Sequence, residues 1–157
     1  SNAGDGEIWG LEVEAIYRTE IAGNQFRATF GASRQGGEVA AGLYQGNALP
    51  QIPDWIASAE LYVRRPFVAG TEIFGNIRYN GQWGGMQELT QPSPAIDDRQ
   101  LINLRAGIRI PNGLGSLDIS AFANNATDET YIVFGDRSTT RRLSQPRTFG
   151  IQLRQRW

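Results

Sequence analysis

The stretch QPRTFGIQLRQRW, residues 145–157, decides the fold class. Side chains alternate across a β-strand with period two, so Phe149, Ile151, Leu153 and Trp157 fall on one face. Thr148, Gly150, Gln152, Arg154 and Arg156 fall on the other. An apolar face for lipid, a polar face for a lumen and an aromatic ring at the interface are the marks of a membrane β-barrel strand.

Six further segments repeat the pattern. The alternation predicts strands at about residues 8–18, 25–34, 55–65, 71–80, 100–110, 116–125 and 148–157. Each is close to the roughly 9–11 residues that a tilted strand needs to cross a bilayer. Trp9, Leu11, Val13, Ala15 and Tyr17 oppose Glu12 and Glu14; Phe26, Ala28, Phe30 and Ala32 oppose Arg27. Trp55, Ala57, Ala59, Leu61 and Val63 oppose Glu60 and Arg64, and Ile73, Ile77 and Tyr79 oppose Glu72 and Arg78. Ile102, Leu104, Ala106, Ile108 and Ile110 oppose Arg105 and Arg109, and Leu117, Ile119, Ala121 and Ala123 oppose Asp118.

A soluble extracellular β-sandwich, its apolar faces meeting in a core, has the same alternation and is the rival reading. The connections separate the two. Short links near 20–24, 66–70 and 111–115 all contain Gly, and two contain Pro, as tight turns require. Long links over about 35–54, 81–99 and 126–147 alternate with them. Outer-membrane barrels have this asymmetry, with short periplasmic turns and long outer loops. It places Tyr17, Phe26 and Trp157 at the periplasmic rim, and Trp9, Trp55, Tyr79 and Phe149 near the outer one. The expected fold is all-β, an antiparallel up-and-down meander of about seven strands.

Composition removes other classes. The formal net charge of -1 gives no basic field for nucleic acid. All basic residues are Arg, which keeps its charge in a semi-occluded lumen. Without cysteine there is no disulfide or thiolate metal site, and without histidine the commonest general base is missing. No apolar run approaches the roughly 18 residues of a membrane helix.

The residues from Pro146 to Arg154, PRTFGIQLR, resemble the closing strand of TonB-dependent outer-membrane receptors. The segment before it is similar to the family's Asn-x-x-Asp-x-x-Tyr stretch, through Asn125, Asp128 and Tyr131, leading from a barrel strand into the last outer loop. Gly10-Leu11-Glu12-Val13-Glu14 resembles a common barrel strand of the family, and Ile52-Pro53-Asp54-Trp55 a loop-to-strand entry. The resemblance implies a bacterial outer-membrane location and uptake of a scarce solute, such as a siderophore or other ferric chelate, a vitamin or a glycan. It implies four partners: outer-membrane lipid, the small solute, a plug domain, and TonB acting through an N-terminal region that carries the TonB box. Large transporter barrels have about 22 strands around a plugged lumen. Residues 4–157 therefore read as the C-terminal fragment of such a barrel, and Ser1-Asn2-Ala3 as the remnant of an expression tag. Such a fragment is expected to lack transport of its own. With two open edges and an uncovered apolar face, it should close on itself, swap strands or self-associate, preferably inside out with the apolar face as core.

No catalytic constellation, cofactor motif or metal site is expected. Gly113-Leu114-Gly115 lacks the third glycine of a dinucleotide loop. Glu12 and Glu14 read as lumen charges rather than a hydrolytic pair, and Asp97-Asp98 lacks the ligand spacing of a calcium loop. Asn125-Ala126-Thr127 is a glycosylation sequon without meaning in this setting. Ligand capture remains. Arg137, Arg141 and Arg142 cluster beside Tyr131 and Phe134 in the last outer loop, a combination suited to anionic chelates or to stacking on sugars. Trp83, among Gly81, Gly84 and Gly85, is a candidate exposed loop aromatic. Glu12, Glu14, Arg78, Arg105 and Arg109 are expected to line the lumen, where the arginines meet the plug.

Overall fold

The computed structural model describes residues 5–89, 93–134 and 142–157. Seven strands form one antiparallel sheet: β1 (Asp5–Ile21), β2 (Asn24–Ala41), β3 (Trp55–Pro66), β4 (Glu72–Trp83), β5 (Arg99–Asn112), β6 (Gly115–Asn124) and β9 (Thr148–Arg156). Two short strands, β7 (Ile132–Phe134) and β8 (Arg142–Leu143), make a separate ribbon in the last long connection. Sheet order follows chain order, so the meander is as the alternation predicts.

Turn chemistry sets the short connections. Ala22 and Gly23 both have positive φ, 51° and 74°, the geometry a two-residue hairpin needs to match strand twist. A single 3-10 turn, Val68–Gly70, joins β3 to β4. At the third turn the Leu114 amide donates to Asn112 Oδ1 at 3.0 Å.

One register runs through the whole sheet. Tyr17 pairs with Ala28, Ala28 with Leu61, Leu61 with Ile77, Ile77 with Leu104, Leu104 with Ala123 and Ala123 with Phe149. A one-residue slip at any ladder would exchange the two faces beyond it. The register breaks between Asp5 and Gly6, at the far end of the first hairpin; from Gly6 onward every ladder keeps step, and apolar residues therefore share one face from β1 to β9. The bottom turns follow Ile21, Pro66 and Asn112, so this row climbs away from them hairpin by hairpin. Such a stagger belongs to strands tilted within a barrel wall.

Burial is inverted relative to a soluble sheet. On the polar face Asp118 is 1% exposed and Ser120 2%, whereas on the apolar face Leu11 is 70% and Ile151 77% exposed. A sandwich would cover Leu11, Ile77 and Ile151 with a second sheet, and among the described residues none lies over them. Within the single chain the sheet stays open and does not close on itself. The apolar face is not a core, and β1 and β9 end the sheet without pairing to each other. What draws side chains together is the polar face, where ion pairs join neighbouring strands.

The first hairpin is longer than its alternation suggests. Gln35-Gly36-Gly37 reads as the start of a loop, yet β2 continues to Ala41 because Asp5–Trp9 supplies ladder partners. Gly36 is needed there: a Cβ at this position would lie 2.8 Å from the Trp9 ring.

Candidate functional site

Three features of the polar face carry chemistry: an ion ladder near the turn end, a middle band of arginines and amides, and a pocket beneath the outer loops.

The ladder runs across five strands. Arg64 pairs with Glu72 at 3.0 Å, Glu72 with Arg109 at 2.9 Å, Arg109 with Asp118 at 2.7 Å, and Asp118 with Arg156 at 3.0 Å. Register brings Glu72, Arg109, Asp118 and Arg154 into one row, so alternation alone delivers these charges to the same height. The Arg109 guanidinium donates through Nε and Nη2 to both oxygens of Asp118, the bidentate geometry that makes such pairs strong.

Higher up, Glu60 accepts from Arg27 at 3.3 Å and from Arg78 at 2.7 Å. Arg105 donates to Ser120 Oγ at 3.0 Å, and Arg105 and Arg109 both lie 5.9 Å from the Phe74 ring centre. All five residues expected to line the lumen, Glu12, Glu14, Arg78, Arg105 and Arg109, are on this face by register. Arg78 and Arg109 are already neutralised by wall carboxylates, so less of their charge is left for a plug than the sequence suggested.

The loop end is knitted together. The Gln51 amide donates to Met86 O at 2.8 Å, Asn47 Nδ2 to Leu89 O at 2.7 Å, and the Ile132 amide to Asp97 Oδ2 at 2.9 Å. The Gly84 and Gly85 amides donate to Asp98 and Asp54 carboxylates at 3.0 and 3.2 Å. Asp97 and Asp98 thus cap backbone amides, and among the described residues no acidic cluster that could hold a metal ion forms. Gly84 and Gly85 have φ of 74° and 94°, and a Cβ on Gly84 would strike the Asp54 carboxylate.

Asn125 clasps the last loop. It is buried with φ 49°, a left-handed value asparagine tolerates. Its Nδ2 donates to Glu129 O and Gln145 O at 2.8 and 3.1 Å, and its Oδ1 accepts from the Glu129 amide at 2.8 Å. Asp128 Oδ1 accepts from the Arg147 amide at 2.8 Å. Both polar residues of the Asn-x-x-Asp-x-x-Tyr stretch therefore tie the loop's two ends together and position Tyr131. Asn125→Ala strands several backbone groups and is expected to cost about 1–3 kcal/mol. Faster amide exchange at Glu129 and Arg147 than elsewhere in the sheet would report it; unchanged exchange would refute the clasp.

The predicted ligand residues disperse. Trp83 ends β4 rather than standing in a loop. It pairs with Trp55 on the apolar face and its ring lies over Gly81, where a Cβ would strike it. Arg34 stacks on Trp55 at 5.3 Å and Arg147 on Phe149 at 5.5 Å. Trp55, Trp83 and Phe149 thus lie on the apolar face toward the loop end. Arg142 is exposed on β8, while Arg137 and Arg141 lie outside the described residues. Tyr131 lines a pocket, with Arg99 over its ring at 5.2 Å. Sequence reading missed Arg99 because it lies at the junction of a loop and β5, where alternation gives no sign of a site.

Comparison with curated proteins and with solved structures returns no match. The family described as TonB dependent receptor-like, beta-barrel matches residues 1–126. The match ends before the closing strand, whose place rests instead on the β6–β9 ladder. Matched over most of its length, the chain belongs to the β-barrels of TonB-dependent receptors, an outer-membrane receptor family.

Proposed function

We propose that residues 4–157 form the C-terminal part of a bacterial outer-membrane receptor barrel, and that the receptor imports a scarce solute using energy relayed through TonB. The observation that carries this reading is the inversion of the sheet: an uncovered apolar face backed by a charged one, with the described parts of the three long connections gathered at one end. A wall of this kind is suited to separating lipid from a polar lumen. The solute is a ferric chelate, a vitamin or a glycan, met first by the loop end. The plug fills the lumen against Arg105 and the wall amides Asn76 and Asn103, and TonB engages the N-terminal region of the receptor. Among the ligand candidates Tyr131 is retained, Arg142 is placed at the entrance, and Trp83 is assigned to the lipid interface.

Cross-linking of the intact receptor to TonB in living cells tests the energised part of the reading. A receptor–TonB adduct that disappears when the receptor's N-terminal region is deleted is the expected outcome. A receptor that reaches the outer membrane and yields no adduct contradicts it.

A further inference from the structure

The pocket beneath the outer loops has a volume of about 310 Å³. Each long connection contributes to it: Gln51 and Pro53 from the first, Ile96 and Asp97 from the second, Tyr131 to Val133 from the third. Its floor is Ile56, Gln82 and Arg99, at the ends of β3, β4 and β5, with Gln82 and Arg99 register partners on the polar face.

Arg99 differs from most arginines on that face, and unlike Arg18 and Arg154, which also make no ion pair with a described residue, it lines the loop-end pocket. Arg27, Arg64, Arg78, Arg109 and Arg156 are paired with carboxylates and Arg105 with Ser120. Among the described residues Arg99 stacks on the Tyr131 ring and has no hydrogen-bond acceptor. Stacking occupies the face of a guanidinium and leaves its in-plane N–H groups available. The Gln82 amide and the Tyr131 hydroxyl also make no hydrogen bond to a described residue. Asp97 lines the same pocket with Oδ2 turned to the Ile132 amide. Pro53, Ile56, Ile96 and Val133 complete an apolar wall.

We propose that this pocket binds the carboxylate of a small hydroxylated organic acid. The in-plane N–H pair of Arg99 takes both carboxylate oxygens, Gln82 and Tyr131 hydrogen-bond an adjacent hydroxyl, and the apolar wall takes the carbon skeleton. Among the described residues Arg99 and Asp97 are the charged groups lining the pocket, a balance that suits a singly charged group better than a phosphate dianion. A neutral sugar is disfavoured because Arg99 already covers one face of Tyr131. The inference rests on the reading of the loop end as the solute-facing end and deepens it by naming the ligand class.

Calorimetry on the intact receptor with D-glucuronate, and with D-glucose as its uncharged counterpart, is the test. Glucuronate is expected to bind at least tenfold more tightly than glucose. Arg99→Gln should weaken glucuronate at least tenfold, Arg99→Lys less, and Tyr131→Phe a few-fold, since that change keeps the stacked ring. Arg65→Gln, on the apolar face, should change nothing. Equal binding of the two sugars, no heat from either, or full affinity in a correctly assembled Arg99→Gln receptor would each overturn the inference. Such a failure leaves the TonB adduct intact, whereas loss of the adduct with glucuronate binding retained would overturn the uptake reading and spare the pocket.

Discussion

Asp118→Ala is expected to lower the stability of the wall by about 3 kcal/mol, toward the lower end of what breaking a buried ion pair costs. Asp118 is almost inaccessible and accepts from two arginines, while the Arg109 side chain is only 20% exposed. Among the described residues, removing the carboxylate leaves Arg109 with Glu72 as its acidic partner and removes the ion pair that joins β5 to β6 across their ladder. The Arg156 arm contributes much less, because that side chain is half exposed and a solvated pair is worth about 0–1 kcal/mol. Arg156→Ala should therefore be nearly silent where Asp118→Ala is severe. Asp118→Asn, which keeps one acceptor, should fall between them. Denaturant unfolding in detergent orders the three variants. Equal losses for Asp118→Ala and Arg156→Ala would show that the ladder does not bear on stability.

The second large effect lies on the opposite face. Ala106 faces away from the lumen in the middle of the sheet, in a row with Val63, Gly75, Ala121 and Ile151. Arg there should cost about 2–4 kcal/mol, the penalty for a guanidinium near the bilayer midplane. Arg at Ser58, on the polar face, should assemble normally because its charge meets water, whereas Arg at Asn103 would also remove the acceptor of the buried Asn125 amide. Heat-modifiable mobility of the folded barrel in cell envelopes separates the outcomes. Ala106→Arg accumulating as folded barrel at the level of Ser58→Arg would refute the assignment of faces.

Most of the fold was legible because its two determinants are local. Period-two alternation fixes which side chains share a face, and Gly- or Pro-bearing links fix which strands neighbour each other. β1 and β2 were read short for a physical reason: beyond Arg34 the ladder is held by Gly36 and Gly37 packing under Trp9 and Leu49, and glycines carry no alternation. The β7–β8 ribbon was missed because strands of three and two residues are too short to show a period. The site was less legible. Lumen charges follow from parity, but Arg99 joins Tyr131 across the space between two loops, and pairing of that kind leaves no spacing to read. Trp83 misled because its flanking glycines look like loop sequence. Gly81 in fact makes room for the Trp83 ring, while Gly84 and Gly85 turn the chain into the loop.

The central claim is that the charged face borders a lumen and the apolar face borders lipid. Single cysteines at Leu61 and Ile108, and at Ser58 and Asn103 on the other face, can carry a fluorophore in the receptor reconstituted with brominated lipids. Strong quenching at Leu61 and Ile108, with little at Ser58 and Asn103, is the predicted result. Equal quenching at all four positions, or quenching confined to Ser58 and Asn103, would contradict the account.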